Sequence, residues 1–114
     1  MENKLVRDII TILSKKQNCK VDCRKVLDRW LLTSQSDKLD FEFTVKGSAV
    51  TVKMAKFPRK RKGTMTDIVK CIQDYGKSII VKSVSSTDMY YFCDKNNFRL
   101  QSRGIGFGDY IKSN

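Results

Sequence analysis

From Lys4 to Lys15 the apolar residues Leu5, Ile9, Ile12 and Leu13 fall at helical spacing, with Asn3 in place as an N-cap. Gln17 to Lys20 breaks this pattern. Cys23, Val26, Leu27, Trp30 and Leu31 then resume it behind Asp22, which predicts a second helix. At Leu39 the period changes to two. Leu39, Phe41, Phe43 and Val45 alternate with Asp40, Glu42 and Thr44, and after Lys46-Gly47-Ser48 the alternation continues through Val50, Val52 and Met54. Two such runs around a short glycine-bearing turn predict an antiparallel hairpin.

Residues 57–63 carry no periodicity. Thr64 and Asp67 then stand three apart like a capping box, Ile68, Val69 and Ile72 line one helix face, and Gly76 is placed to end it. Residues 79–84 and 89–93 read as strands around a polar turn, and 98–101 as a short further strand. The glycine-rich run 103–110 reads as irregular. The expected fold is a small single α+β domain: two N-terminal helices, a hairpin, one more helix, then two or three antiparallel strands. Residues 1–101 would form the domain and 102–114 a glycine-rich tail.

The chain has 114 residues, of which 40% are hydrophobic, enough for one buried core. Charge adds more. Lys and Arg number 23 against 12 acids, leaving +11 at pH 7. A field that positive recruits polyanions and speaks to partners rather than to fold. Its densest point is Arg59-Lys60-Arg61-Lys62, a run of four cations that ends where a helix is expected to begin. Free backbone N–H groups and the helix dipole favour an anion at such a start, and Thr64 and Thr66 add hydroxyls. Lys53 and Lys56 lie just upstream. Arg24 and Lys25, on the polar side of the expected second helix, could extend the patch if the fold brought them near. A solvated loop that maintains solubility, or a nuclear-import address, accounts for the same residues.

Exposed aromatic rings stack on unpaired bases, and Tyr90, Tyr91, Phe107 and Tyr110 are available for this. Phe41, Phe43, Phe92 and Trp30 read as core. The run Arg103-Gly104-Ile105-Gly106-Phe107-Gly108-Asp109-Tyr110 resembles the central RNA-contacting octet of RNA-recognition-motif domains, matching at Arg103, Gly104, Gly106, Phe107 and Tyr110. Ile105 stands where that octet has an aromatic and Gly108 where it has a branched aliphatic. The resemblance spans 8 of 114 residues; the family is not carried over from it, and at most its glycines would let Arg103 and two rings approach a ligand closely, the plain reading being a flexible tail.

Chemistry beyond binding has little sequence support. There is no histidine, which removes the ordinary Ser-His and Cys-His arrangements. Lys62-Gly63-Thr64 has the residues of a phosphate-binding loop in the wrong order. Cys19 and Cys23 are spaced as metal ligands could be, but Cys71 and Cys93 supply no second close pair, so free thiols in a reducing compartment are expected. Asp40 and Glu42 read as the wet side of a strand. No run approaches a membrane span.

The expectation is therefore a non-enzymatic, intracellular nucleic-acid-binding protein of cytoplasm or nucleus, without cofactor or metal. It would grip DNA or RNA phosphates with little sequence specificity through Arg59, Lys60, Arg61, Lys62 and Thr64, aided by Lys53, Lys56, Arg24, Lys25 and Arg103. An acidic protein partner or anionic phospholipid would satisfy the same charges. The sequence leaves oligomeric state open.

Overall fold

A computed structural model describes residues 2–34, 38–60, 62–84 and 86–113. Its element order is α1 (Glu2–Gln17), β1 (Asp22–Val26), β2 (Arg29–Thr33), β3 (Asp40–Lys46), β4 (Ala49–Lys56), α2 (Thr64–Asp74), β5 (Ser78–Val84), α3 (Thr87–Lys95), β6 (Arg99–Gly104) and β7 (Phe107–Lys112). The seven strands form one mixed sheet in the order β1-β2-β3-β4-β5-β7-β6. All neighbours are antiparallel except β4 and β5, which run parallel with α2 as their crossover.

The core follows from two periodicities meeting. Leu5, Ile9 and Leu13 of α1 and Ile68 and Ile72 of α2 repeat at helical spacing, and all are fully buried. They join one cluster with Phe41 and Phe43 of β3, Val50 of β4 and Ile79 of β5. The β3–β4 hairpin lies where alternation predicts it, turning at Gly47 with φ of 58°. Helix α2 ends where Gly76 was expected to stop it: Gly76 takes φ of 74° and its N–H donates to the Gln73 carbonyl at 2.8 Å.

The expected second helix is absent. Residues 22–33 form the β1–β2 hairpin instead, with Val26 opposite Arg29 across the two-residue turn Leu27-Asp28. Leu27 holds φ of 57° and is 92% exposed. Such turns normally announce themselves with Asn or Gly, and this one does not. Strand β1 is moreover exposed at every position, so it shows no alternation to read.

The expected strand over 89–93 is also a helix, α3. Ser86, read as part of a turn, is its N-cap: its hydroxyl accepts the Met89 N–H at 3.2 Å. The aromatic run Tyr90-Tyr91-Phe92 has strand propensity, but the cap and tertiary packing override it. Residues 103–110, expected to be irregular, form most of the β6–β7 hairpin, whose turn is Ile105-Gly106. Glycine suits this segment because space is short: a Cβ at Gly104 would meet the Phe107 ring at 2.1 Å, and one at Gly108 would meet Leu100 at 2.9 Å.

Among the described residues, no helix is long and apolar enough to cross a membrane. The expected capping box does not form either. Gly63 is the N-cap of α2, with φ of 72° and no side-chain cap hydrogen bond, while Asp67 pairs with Lys16 of α1 at 3.2 Å.

Candidate functional site

The parallel pair β4–β5 is hydrogen-bonded only over Ala49–Val52 against Ser78–Val81. Strand β4 continues four residues further, to Lys56, while β5 turns away. The cause of the turn is visible on the far side of β5. The register between β5 and β7 shifts between Val81 and Val84, and Ser83 within the shift holds φ of 53°. Its N–H donates to Asp109 Oδ1 of β7 at 2.7 Å. Lys82 Nζ and the Ser102 hydroxyl both donate to Asp109 Oδ2, at 3.1 and 3.0 Å. The backbone N–H of Ser83 together with these two groups holds the Asp109 carboxyl below the usual carboxylate range, against the opposite pull of burial.

Between the parted strands lies a cleft of about 320 Å³, walled by Val52–Lys56 on one side and Val81–Val84 on the other, with Lys60, Ser86 and Met89 completing its lining. Among the described residues no ladder hydrogen bond joins β4 to β5 beyond Val52. The edge of β4 facing the gap therefore offers backbone donors and acceptors to whatever enters, as any unpaired strand edge does.

A larger cavity of about 870 Å³ adjoins this cleft and shares Ala55, Lys60, Ser86 and Met89 with it. Arg59, Lys62, Gly63 and Thr64 from the start of α2, and Tyr91 and Lys95 of α3, line it further. The uncapped helix start, with its unsatisfied N–H groups, thus opens into a concavity edged by four cations, Arg59, Lys60, Lys62 and Lys95, against one carboxylate, Asp88.

The structure divides the residues singled out from sequence. Lys53, Lys56, Arg59, Lys60, Lys62 and Thr64 come together around the two connected cavities. Arg61 lies outside the described residues. Arg24 and Lys25 are on β1, at one edge of the sheet and three strands from β4, where the Lys25 ammonium lies over the Trp30 ring at 4.8 Å. Arg103 is on β6, at the opposite edge. Among the described residues, Arg24, Lys25 and Arg103 thus stand at the sheet edges and not beside the other six, because the expected helix that would have carried Arg24 and Lys25 is an edge hairpin.

Sequence reasoning missed Gln17, Ser83, Met89 and Asp109. For Gln17 a signal was present: the four-residue stripe Leu5, Ile9, Leu13 ends on it, so a polar residue occupies the last position of the core face. Among the described residues no group of three or more Cys, Asp or Glu is placed to hold a metal ion.

No protein-family model and no curated protein matches the sequence. Solved structures do match. The chain superimposes on the crystal structure of the PaiA N-acetyltransferase from Thermoplasma acidophilum, in complex with coenzyme A, with a TM-score of 0.53 and 10% sequence identity. That match covers 75% of this chain and 60% of the other, so this chain spans well under two-thirds of its length. A weaker likeness, with a TM-score of 0.49 and 16% identity, is to anti-CRISPR protein AcrVA5, covering 82% of this chain and 98% of that one. The expectation of a non-enzymatic nucleic-acid binder is corrected by the first of these likenesses, at the level of fold. The fold is the one found in an N-acetyltransferase, and the basic loop, expected to grip nucleic-acid phosphates, borders a cleft between parted parallel strands.

Proposed function

We propose that this protein is an acyl-CoA-dependent N-acyltransferase. The observation that carries the reading is the parting of β4 and β5 after Val52, directly beside the uncapped, cation-edged start of α2. A bound coenzyme A needs a site for each of its parts, and the cavities supply matching chemistry. Its phosphates require hydrogen-bond donors and positive charge. The N–H groups in the first turn of α2 provide the donors, and Arg59, Lys60 and Lys62 provide the charge. Its amide-bearing arm requires an extended partner, which the free edge of β4 from Lys53 to Lys56 offers in the manner of an added strand. When bound, the group supplies an activated acyl thioester.

The chain's own contribution is binding and orientation. Apolar Val52, Val81 and Met89 line the inner cleft and limit water there. Lys60 belongs to both cavities and would join the phosphate end to the acyl end. The N-acetyltransferase likeness supports amide formation as the chemistry, and coenzyme A in that structure supports the donor class.

Calorimetric titration of coenzyme A into the purified protein tests the reading, together with acetyl-CoA consumption against a panel of primary amines. Saturable binding and amine-dependent thiol release are expected. An absence of coenzyme A binding at millimolar concentration would sink the proposal.

A further inference from the structure

Gln17 is a polar side chain with no solvent exposure, at the last position of α1. Its amide nitrogen donates to the Arg59 carbonyl at 2.9 Å and to the Thr64 hydroxyl oxygen at 2.8 Å. Its amide oxygen accepts the Arg59 backbone N–H at 2.8 Å. One side chain thereby uses both its donors and its acceptor on two residues that bracket the basic loop. These contacts reach across 42 and 47 residues of sequence.

We infer that Gln17 is the positioning residue of the phosphate-binding loop, a role that rests on the acyl-CoA reading above. Arg59, Lys60 and Lys62 repel one another, and from Phe57 to Gly63 the described residues belong to no helix or strand. Gln17 fixes the Arg59 peptide on both of its polar sides. It also ties down Thr64, the first residue of α2, through its hydroxyl, beside the first-turn N–H groups that border the cavity. Burial makes the arrangement stringent, since an unsatisfied polar group in such a place is costly. A glutamate at position 17 would set an oxygen against the Arg59 carbonyl, so only an amide meets all three partners at this length.

The test compares coenzyme A titration into wild type, Gln17→Met and Leu13→Val, with the exchange rate of the Arg59 backbone amide recorded in each. Gln17→Met keeps length and removes the hydrogen bonds. Leu13→Val perturbs the core face of the same helix one turn away. Gln17→Met is expected to weaken binding at least about tenfold, since misplaced binding groups lose their advantage steeply, and to speed Arg59 exchange. Leu13→Val should leave both near wild type at whatever melting temperature it shows.

Equal affinity of Gln17→Met and wild type would overturn the inference. So would equal loss in Leu13→Val, which would mark the effect as general destabilisation. If Gln17→Met does not fold, Thr64→Val removes one partner of the clamp, and unchanged affinity there overturns the inference. Should wild type itself fail to bind coenzyme A, the functional proposal falls on its own. The clamp is then judged by Arg59 exchange, and unaltered exchange in Gln17→Met defeats it.

Discussion

Asp109 on β7 holds the backbone N–H of Ser83 on β5 at 2.7 Å, at a residue whose φ is 53°. A non-glycine residue in the left-handed region costs on the order of 1 kcal/mol, and it persists here because a buried carboxylate compensates it. The consequence is functional geometry. The shift in β5 pairing turns its end toward β7 and leaves the end of β4 paired on its β3 side alone, which is what opens the cleft.

Asp109→Ala is therefore expected to destabilise the protein by about 1–3 kcal/mol, the range for leaving a buried partner unsatisfied, as measured by urea unfolding. Ser83→Gly, which relieves the backbone strain, should be neutral or mildly stabilising. A stable Asp109→Ala variant with unaltered coenzyme A affinity would separate the bulge from the site.

The same carboxylate should register in acid. Its folded pKa lies below its ordinary value of 3.8, so its contribution is fully present above that value and is lost as pH falls through the lower folded one. The stability gap between wild type and Asp109→Asn is expected to be constant near neutrality and to close only below about pH 4. A gap that closed near pH 6 would point to another group.

Gly63 begins α2 with φ of 72°, and a Cβ there would meet only the Lys16 ammonium, at 3.9 Å. The restriction on Gly63→Ala is thus backbone conformation and not space. That variant should lose about 1 kcal/mol of stability and weaken coenzyme A, because the first N–H groups of α2 are aimed by this residue. Isothermal titration beside thermal melting checks both.

Lys60→Ala and Lys62→Ala should each weaken coenzyme A several-fold and reduce the salt sensitivity of binding, since each removes a cation from the cavity edge. Arg24→Ala, Lys25→Ala and Arg103→Ala sit at the two sheet edges and should leave affinity unchanged. An equal loss from all five would show that overall charge, not the cavity, attracts the ligand.

Tyr75, the C-cap of α2, donates its hydroxyl to Asp8 of α1, and this hydrogen bond is the main reason its pKa rises from 10.0 to about 12. Stability from this pair is full below pH 10 and is lost as pH rises through about 12. Asp8→Asn should return one of the four tyrosines toward ordinary behaviour in an ultraviolet titration.

Legibility from sequence followed the range of the interactions. The faces of α1 and α2, the β3–β4 hairpin and the stop at Gly76 were readable because local periodicity and turn chemistry dictate them. The β1–β2 hairpin was not, since Leu27 sits in a turn without a turn residue and β1 has no buried face. Helix α3 was hidden by three consecutive aromatics, and its Ser86 cap looked like a turn.

For the site, the sequence by itself determined the ingredients: a cationic loop, and a helix beginning just after it. Only tertiary structure decided what they border. The cleft exists because β5 pairs with β7 through Asp109 and Ser83, which are 26 residues apart, and the loop is held by Gln17 from 42 residues away. Neither pairing leaves a local trace, because hydrogen bonds between distant segments impose no period on the chain. The positive charge that reads as a nucleic-acid surface in one dimension becomes, once folded, the rim of a cavity.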